Sequence, residues 1–324
     1  MTKAVRIEKV GGPEVMHLAE VELARPAAGE VRIRHTAIGL NYIDTYHRSG
    51  LYPIKLPSSL GLEAAGVVEE LGQEVTTLKL GDRIAYGDGP LGAYAEARNI
   101  KASKVIRIPA AIGDETAAGM MLKGMTARYL LRATYKVKPG ETILLHAAAG
   151  GVGLIAAQWA RALGATVIGT VGSDSKVEIA RAHGCAHVIN ASTEDVVARV
   201  KEITGGKGVP VVYDGVGQAT FMTSLDCLNP RGLLVSFGNA SGPVTNVSLG
   251  ILASKGSLYV TRPTTGSYIA TEAELQETLG DLIAMVESGK VKIPVNQRYA
   301  LADVVQAHRD LAARKTTGTT VLIP

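Results

Sequence analysis

The chain has 324 residues, 46% hydrophobic and 20% charged, enough for two domains of roughly 100–200 residues each, which excludes a disordered chain. Its net charge of +4 is dispersed, with Lys and Arg interspersed among Asp and Glu, and aromatic residues make up only 4%, which argues against a basic stripe or stacking platform for nucleic acid. Only Cys185 and Cys227 are present, excluding a disulfide scaffold and a multi-cysteine zinc lobe.

From Met1 to Lys9 apolar and charged residues alternate, without the apolar run of a signal peptide. The apolar stretch from Ile143 to Ala160 contains His146, Gln158 and glycines at 150, 151 and 153. That composition suits a strand and helix joined by a turn better than a membrane span. A soluble, cytosolic protein is expected.

The first third reads as strands. Residues 4–10 and 30–37 alternate at period two. Turn signals at Gly11-Gly12-Pro13, Arg25-Pro26, Tyr52-Pro53, Leu80-Gly81-Asp82 and Gly87-Asp88-Gly89-Pro90 separate such runs. The expectation is a mostly antiparallel β domain.

The rhythm changes near residue 115. A helix is expected over 115–133, then a turn at Lys138-Pro139-Gly140-Glu141. Beyond it, short apolar strands at 142–146, 166–170, 187–190, 209–214, 233–237 and 256–261 alternate with helices, including 151–163 and 175–183. Ser192 is expected to cap the next helix, with Asp195 three residues on completing an approximate capping box. Six strands alternating with helices predict an α/β, doubly wound parallel sheet. After Pro263 come a helix over 272–287, short strands at 297–300 and 319–323, and a helix around 303–314. This tail is too small to fold alone, so it is expected to return and complete the first domain. The expected division is 1–122 with 266–324, and 123–265 as an inserted nucleotide-binding domain.

The strand Ile143-Leu144-Leu145-His146 runs into Ala147-Ala148-Ala149-Gly150-Gly151-Val152-Gly153, which opens a helix. Ala148, Gly150 and Gly153 take the three glycine positions of the dinucleotide fingerprint. The chemistry needs a tight turn, a backbone that a pyrophosphate can approach, and a helix N-terminus that favours the anion. The second strand ends in Thr170-Val171-Gly172-Ser173-Asp174-Ser175-Lys176, with no acid at its tip to bond the adenosine ribose of NAD. Ser173 and Lys176 suit a 2′-phosphate and favour NADP. The alternative is that Asp174 serves the ribose and Lys176 is a solvated lysine.

Several segments together resemble the medium-chain dehydrogenase/reductase superfamily: Gly61-Leu62-Glu63-Ala64-Ala65-Gly66-Val67-Val68 with Gly72, Lys79-Leu80-Gly81-Asp82-Arg83-Ile84, and the Ala-Ala-Gly-Gly-Val-Gly loop. Asn41 to Tyr46, Arg48 to Pro53 and Gly232 to Gly242 narrow the likeness to the zinc-free, zeta-crystallin-like quinone oxidoreductases. The resemblance covers nearly the whole chain. It implies a GroES-like mostly-β catalytic domain paired with a Rossmann domain, and a homodimer formed through the strand at Ser257–Thr261.

In zinc-containing relatives a Cys ligand stands where this chain has Asn41 and a His ligand where it has Leu62, so no catalytic tetrahedral zinc is expected. Glu63 remains beside Leu62, and His35, His47 and His146 read as structural or surface residues. Alcohol oxidation needs a Lewis acid, whereas a quinone accepts hydride without one because the product ring is aromatic.

The resemblance therefore implies an NADPH:quinone oxidoreductase acting on small quinones. Asn41 is the orienting group, Tyr46 a hydrogen-bond donor to the substrate, and Tyr52 lines the same pocket, with simple packing of both rings the alternative. It places Asn41, Thr126, Ala149, Gly150, Gly151, Val152, Gly172, Ser173, Lys176, Phe237, Gly238, Ser241, Val260, Thr261 and Arg262 at the cofactor. Ala191 and Gly215 depart from relatives that carry Tyr and Ser there. Two other functions remain open at this stage: an enone or alkenal double-bond reductase, and a structural or RNA-binding protein that retains NADPH binding.

Overall fold

A computed structural model describes residues 1–324 and divides them into two compact units, Met1–Met125 with Ile293–Pro324, and Thr126–Lys292. The return to the first unit thus comes at Ile293, where the sequence suggested residue 266. The helix Glu272–Glu287 stays with the second unit because Asp281 accepts from Arg128 at 3.0 Å and from Arg132 at 2.8 Å.

In the first unit the long strand Glu30–Leu40 is central. It pairs antiparallel with Glu63–Leu71, Ala97–Lys101 and the C-terminal strand Thr319–Ile323, in register Thr320 to Leu40. The last strand also pairs parallel with Val295–Ala300, the helix Val304–Ala312 crossing between them, so the tail does complete this unit. Side chains at Val31 and Ile33 alternate inward with period two. Past Ala37 nearly every residue is buried, because this end of the strand is covered on both faces. Val5, Ile7, Ile33, Ile38, Leu40, Ile84, Tyr94 and Leu322 form the core. The strand ends at Leu40 and delivers Asn41 to the start of the helix Tyr42–Ser49.

The second unit carries a six-stranded, wholly parallel sheet. Its spatial order is His187–Asn190, Thr166–Val171, Thr142–Leu145, Val209–Asp214, Leu228–Ser236 and Tyr259–Thr261. That order, 3-2-1-4-5-6 within the unit, is the Rossmann arrangement, and its ligand crevice lies at the carboxyl ends of the strands. The central strands read as unbroken apolar runs because helices cover both faces, and Leu144, Ile168, Val212 and Leu234 are fully buried.

Two local expectations are corrected. The helix expected to open at Ser192 is the helix Val196–Ile203, capped by Asp195, whose carboxylate accepts from Ala198 N at 3.1 Å. Ser192 lies in the turn before that helix, where its N–H and hydroxyl both donate to Asn190 Oδ1, at 3.1 and 2.7 Å. The helix expected over 115–133 is α-helical over Asp114–Tyr129 and widens into a π turn at Leu130–Thr134.

Candidate functional site

The catalytic candidates of the first unit are strung along the Tyr42–Ser49 helix: Asn41 precedes its first turn, Tyr46 lies within it and Tyr52 follows its C-terminal end. Asn41 is its N-cap and is buried. Tyr46 stacks edge-on against Tyr42 at 5.6 Å and tilted against Tyr52 at 5.1 Å between ring centroids. The Tyr52 N–H donates to the Tyr46 carbonyl at 3.1 Å, folding the chain after the helix back onto it.

Beneath Asn41 lies a buried polar cluster. The Glu63 carboxylate, fully excluded from solvent, accepts from Asn41 Nδ2 at 2.6 Å, from the Leu122 N–H at 2.9 Å and from Lys123 Nζ at 3.0 Å. A buried carboxylate costs several kcal/mol of desolvation unless a cation and hydrogen bonds offset it, and here both do. Because Asn41 spends its NH2 on Glu63, the amide orientation is fixed and Oδ1 is the acceptor face of the side chain. Gly39 makes the arrangement possible: a Cβ there would fall 2.4 Å from Glu63 Oε2 and 2.2 Å from the Ala118 carbonyl. Glu63 looked like an isolated carboxylate in the sequence, because its partner Lys123 lies sixty residues away.

In the second unit the cofactor candidates line the carboxyl ends of the parallel strands. Ala149, Gly150, Gly151 and Val152 follow the strand Thr142–Leu145, and the helix Gly151–Ala162 opens from Gly150 with no side chain capping it. Its first-turn N–H groups and positive dipole end are therefore available to a phosphate. Gly153 is obligatory, since a Cβ would meet the Ala147 carbonyl at 2.4 Å. The sequence could not show why Ala148 replaces the first glycine. Its methyl uses space left by Gly169 on the adjacent strand, where a Cβ would lie 2.7 Å from the Ala148 Cβ. The residues therefore fit a dinucleotide.

Gly172, Ser173 and Lys176 follow the strand Thr166–Val171. The Ser173 hydroxyl lies 2.9 Å from that of Ser175. Asp174, the rival candidate for the ribose, already accepts from buried Asn190 Nδ2 at 2.7 Å. Phe237, Gly238 and Ser241 follow the strand Leu228–Ser236. The Phe237 ring fills the place a side chain at Gly215 would need, with its Cζ 2.9 Å from such a Cβ. Ser241 is occupied structurally: its hydroxyl donates to the Val216 carbonyl at 2.9 Å and accepts from Ala219 N at 3.0 Å. Val260 and Thr261 lie on the edge strand Tyr259–Thr261, Arg262 follows it, and Thr126 is buried in the helix Asp114–Tyr129.

One organising residue escaped the sequence reading. Asp214 Oδ1 accepts from Val216 N at 2.8 Å and Gly217 N at 3.1 Å, while Oδ2 accepts from the hydroxyls of Thr220 and Ser224, both at 2.7 Å. Buried His146 lies 3.1 Å from the Ser224 hydroxyl on the helix Phe221–Cys227 and 2.9 Å from that of Thr170 on the neighbouring strand. Burial pushes its imidazole below the ordinary range. His35 likewise bridges the Ala95 carbonyl at 2.7 Å and the Tyr86 hydroxyl at 2.9 Å, so both histidines are structural.

Residues 27–139 match the alcohol dehydrogenase GroES-like domain family and residues 151–284 the zinc-binding dehydrogenase family. The chain is 57% identical over 325 residues to a quinone oxidoreductase of Pseudomonas aeruginosa, covering 100% of each. It is 46% identical over 334 residues to a 2-haloacrylate reductase of Burkholderia sp, covering 100% of this chain and 99% of that one. It superimposes with a TM-score of 0.98 on the crystal structure of Escherichia coli quinone oxidoreductase complexed with NADPH, 54% identical, over 99% of this chain and 100% of the other. The zinc in the second family's description does not fit this chain. An amide and an aliphatic side chain stand at 41 and 62, Glu63 is spent on an ammonium, and no group of three His, Cys, Asp or Glu converges to hold a metal.

Proposed function

We propose that this chain, which belongs to the zinc-free quinone oxidoreductases of the medium-chain dehydrogenase/reductase superfamily, is an NADPH-dependent reductase of small quinones. The observation that carries the reading is an uncapped, glycine-rich helix N-terminus in a 3-2-1-4-5-6 sheet, beside a strand-end loop whose one acid is already engaged by Asn190.

NADPH, when bound, supplies the hydride. The first-turn N–H groups of Gly151, Val152 and Gly153 hold its pyrophosphate, and Ser173 and Lys176 take the 2′-phosphate. The backbone at Ala149, Gly172, Phe237, Gly238 and Ser241, together with Thr126, Val260 and Arg262, completes the cofactor site. Asn41 offers Oδ1 as a fixed acceptor that orients the nicotinamide end. Tyr46 donates a hydrogen bond to the quinone oxygen that gains charge, and Tyr52 packs the pocket and excludes water. The product hydroquinone anion is aromatic, so no Lewis acid is required. Tyr259 and Val260, 61% and 39% exposed on the sheet's last strand, support a homodimer built by pairing that edge with its twin. No helix is long and apolar enough to cross a membrane, in keeping with a cytoplasmic enzyme.

The test is NADPH and NADH oxidation with 1,4-benzoquinone, 9,10-phenanthrenequinone and an alkenal in parallel, before and after EDTA. Quinone turnover that prefers NADPH and survives EDTA is expected. Turnover with the alkenal alone would replace the quinone reading with double-bond reduction.

A further inference from the structure

The helix that carries Asn41 and Tyr46 turns an unusually polar face into the core. Asp44 and Arg48, one turn apart, are both buried, and Asp44 is fully excluded from solvent. Asp44 Oδ2 accepts from the Asn41 N–H at 2.8 Å and from the Tyr94 hydroxyl at 2.7 Å. The Tyr94 oxygen lies 3.0 Å from His308 Nε2, and His308 Nδ1 lies 3.0 Å from Arg48 Nη1. Arg48 Nε also donates to the Gly11 carbonyl at 3.2 Å. The result is a ring closed through the helix backbone: two corners on the Tyr42–Ser49 helix, one on the loop at Tyr94, and one on the C-terminal helix Val304–Ala312.

Donor chemistry permits only one order of protons around this ring. A guanidinium has donors and no acceptor, so His308 Nδ1 must present its lone pair to Arg48. A neutral imidazole then carries its proton on Nε2 and donates to the Tyr94 oxygen. Tyr94 has a single hydrogen, which goes to Asp44 Oδ2. That oxygen remains an acceptor for the Asn41 N–H whether or not Asp44 is protonated, because Oδ1 makes no hydrogen bond and can hold the proton. Burial together with the Arg48 charge drives His308 down to about 3, so it stays neutral.

Resting on the reading that this is a quinone reductase, we propose that His308 is a positioning residue for the reaction. By relaying Arg48 to Tyr94 it sets the direction of the Tyr94 hydroxyl, locks the Asp44 carboxylate against the Asn41 N–H, and so fixes the helix start from which Asn41 and Tyr46 project. His308 touches neither substrate nor cofactor. A misplacement of about 1 Å in a reacting constellation costs on the order of 100-fold in rate, so a remote residue can register in kcat.

The wild-type protein and H308Q, H308L and Y94F variants test this. Gln keeps one acceptor and one donor, Leu keeps neither, and Y94F removes the hydroxyl that makes the relay while keeping the aromatic side chain. H308L and Y94F are expected to lose about tenfold or more in kcat with 1,4-benzoquinone, with KM changed about twofold at most, while H308Q stays within about threefold of wild type. Hydrogen exchange over residues 39–49 is expected to speed up in H308L and Y94F and not in H308Q. Equal exchange and equal kcat in all four proteins would overturn the proposal. Nitrogen-15 NMR of histidine in the wild type needs no folded variant: His308 is expected as the Nε2–H tautomer, and an Nδ1–H form or an imidazolium overturns the proton order. A wild type with no quinone turnover but the expected tautomer and exchange pattern would sink the functional reading and keep the ring's role in fixing Asn41.

Discussion

Asn41 Nδ2 lies 2.6 Å from the Glu63 carboxylate, in a layer where neither side chain has meaningful contact with solvent. The same carboxylate oxygen takes Lys123 at 3.0 Å, so the orientation of a site residue and the neutralisation of a buried charge are one arrangement. Lys123→Met is therefore expected to cost about 3–5 kcal/mol in urea unfolding, since it leaves Glu63 charged and uncompensated. Adding Glu63→Gln should recover a large part of that loss. If the two effects simply add, the pair is not coupled as described.

Coenzyme choice should depend on Lys176. Removing one charge-assisted contact costs about 1.5–3 kcal/mol, so Lys176→Ala is expected to weaken NADPH binding about tenfold or more and to leave NADH binding nearly unchanged. Fluorescence titration of both coenzymes checks this, and equal losses for the two would remove Lys176 from the 2′-phosphate.

Gly169 and Ala148 share one space. Gly169→Ala brings a methyl within 2.6 Å of the Cys185 sulfur and 2.7 Å of the Ala148 Cβ, which predicts a loss of about 1–3 kcal/mol. Adding Ala148→Gly should restore part of it, read as a rise in Tm over the single variant. A double variant no more stable than Gly169→Ala alone would mean that the sulfur contact dominates.

The pH dependence of stability should contain two opposed contributions. Burial pushes Asp44 up from 3.8 to about 7, so within that window the folded chain holds a proton that the unfolded chain has lost, and stability falls as pH rises. Burial pushes His308 down from 6.5 to about 3 and His35 to about 4, so the unfolded chain gains protons first and stability falls as pH drops below 6.5. Between about pH 7 and pH 5, Asp44→Asn is expected to lose Tm more steeply on acidification than wild type, and His308→Gln less steeply. Parallel curves for all three proteins would contradict both assignments.

The fold was legible where a local rule decides it. The six apolar runs from 142 to 261, spaced by helices, announced the parallel sheet, and Gly150 and Gly153 announced its phosphate loop. What stayed hidden was carried by long-range pairing. Glu63 and Lys123, Tyr94 and His308, and Ala148 and Gly169 are separated in sequence, and no periodicity connects them. The cap at Ser192 was misplaced for a local reason: Ser192 is folded into a turn on Asn190 Oδ1, and the helix opens only at Val196, behind Asp195. Ser241 shows the complementary case, a position matched to the cofactor loop whose hydroxyl holds that loop together.

The four hydrogen bonds gathered by Asp214 have a thermodynamic consequence. The turn from Gly215 to Gly217 and the start of the next helix are held before any ligand arrives, so their ordering entropy is lost during folding and not on association. A calorimetric signature of binding to this half of the molecule should then reflect surface desolvation, with little of the heat-capacity change that accompanies coupled folding. Asp214→Asn would transfer part of that ordering to the binding step, trading a rigid receptor for one that must be assembled around its ligand.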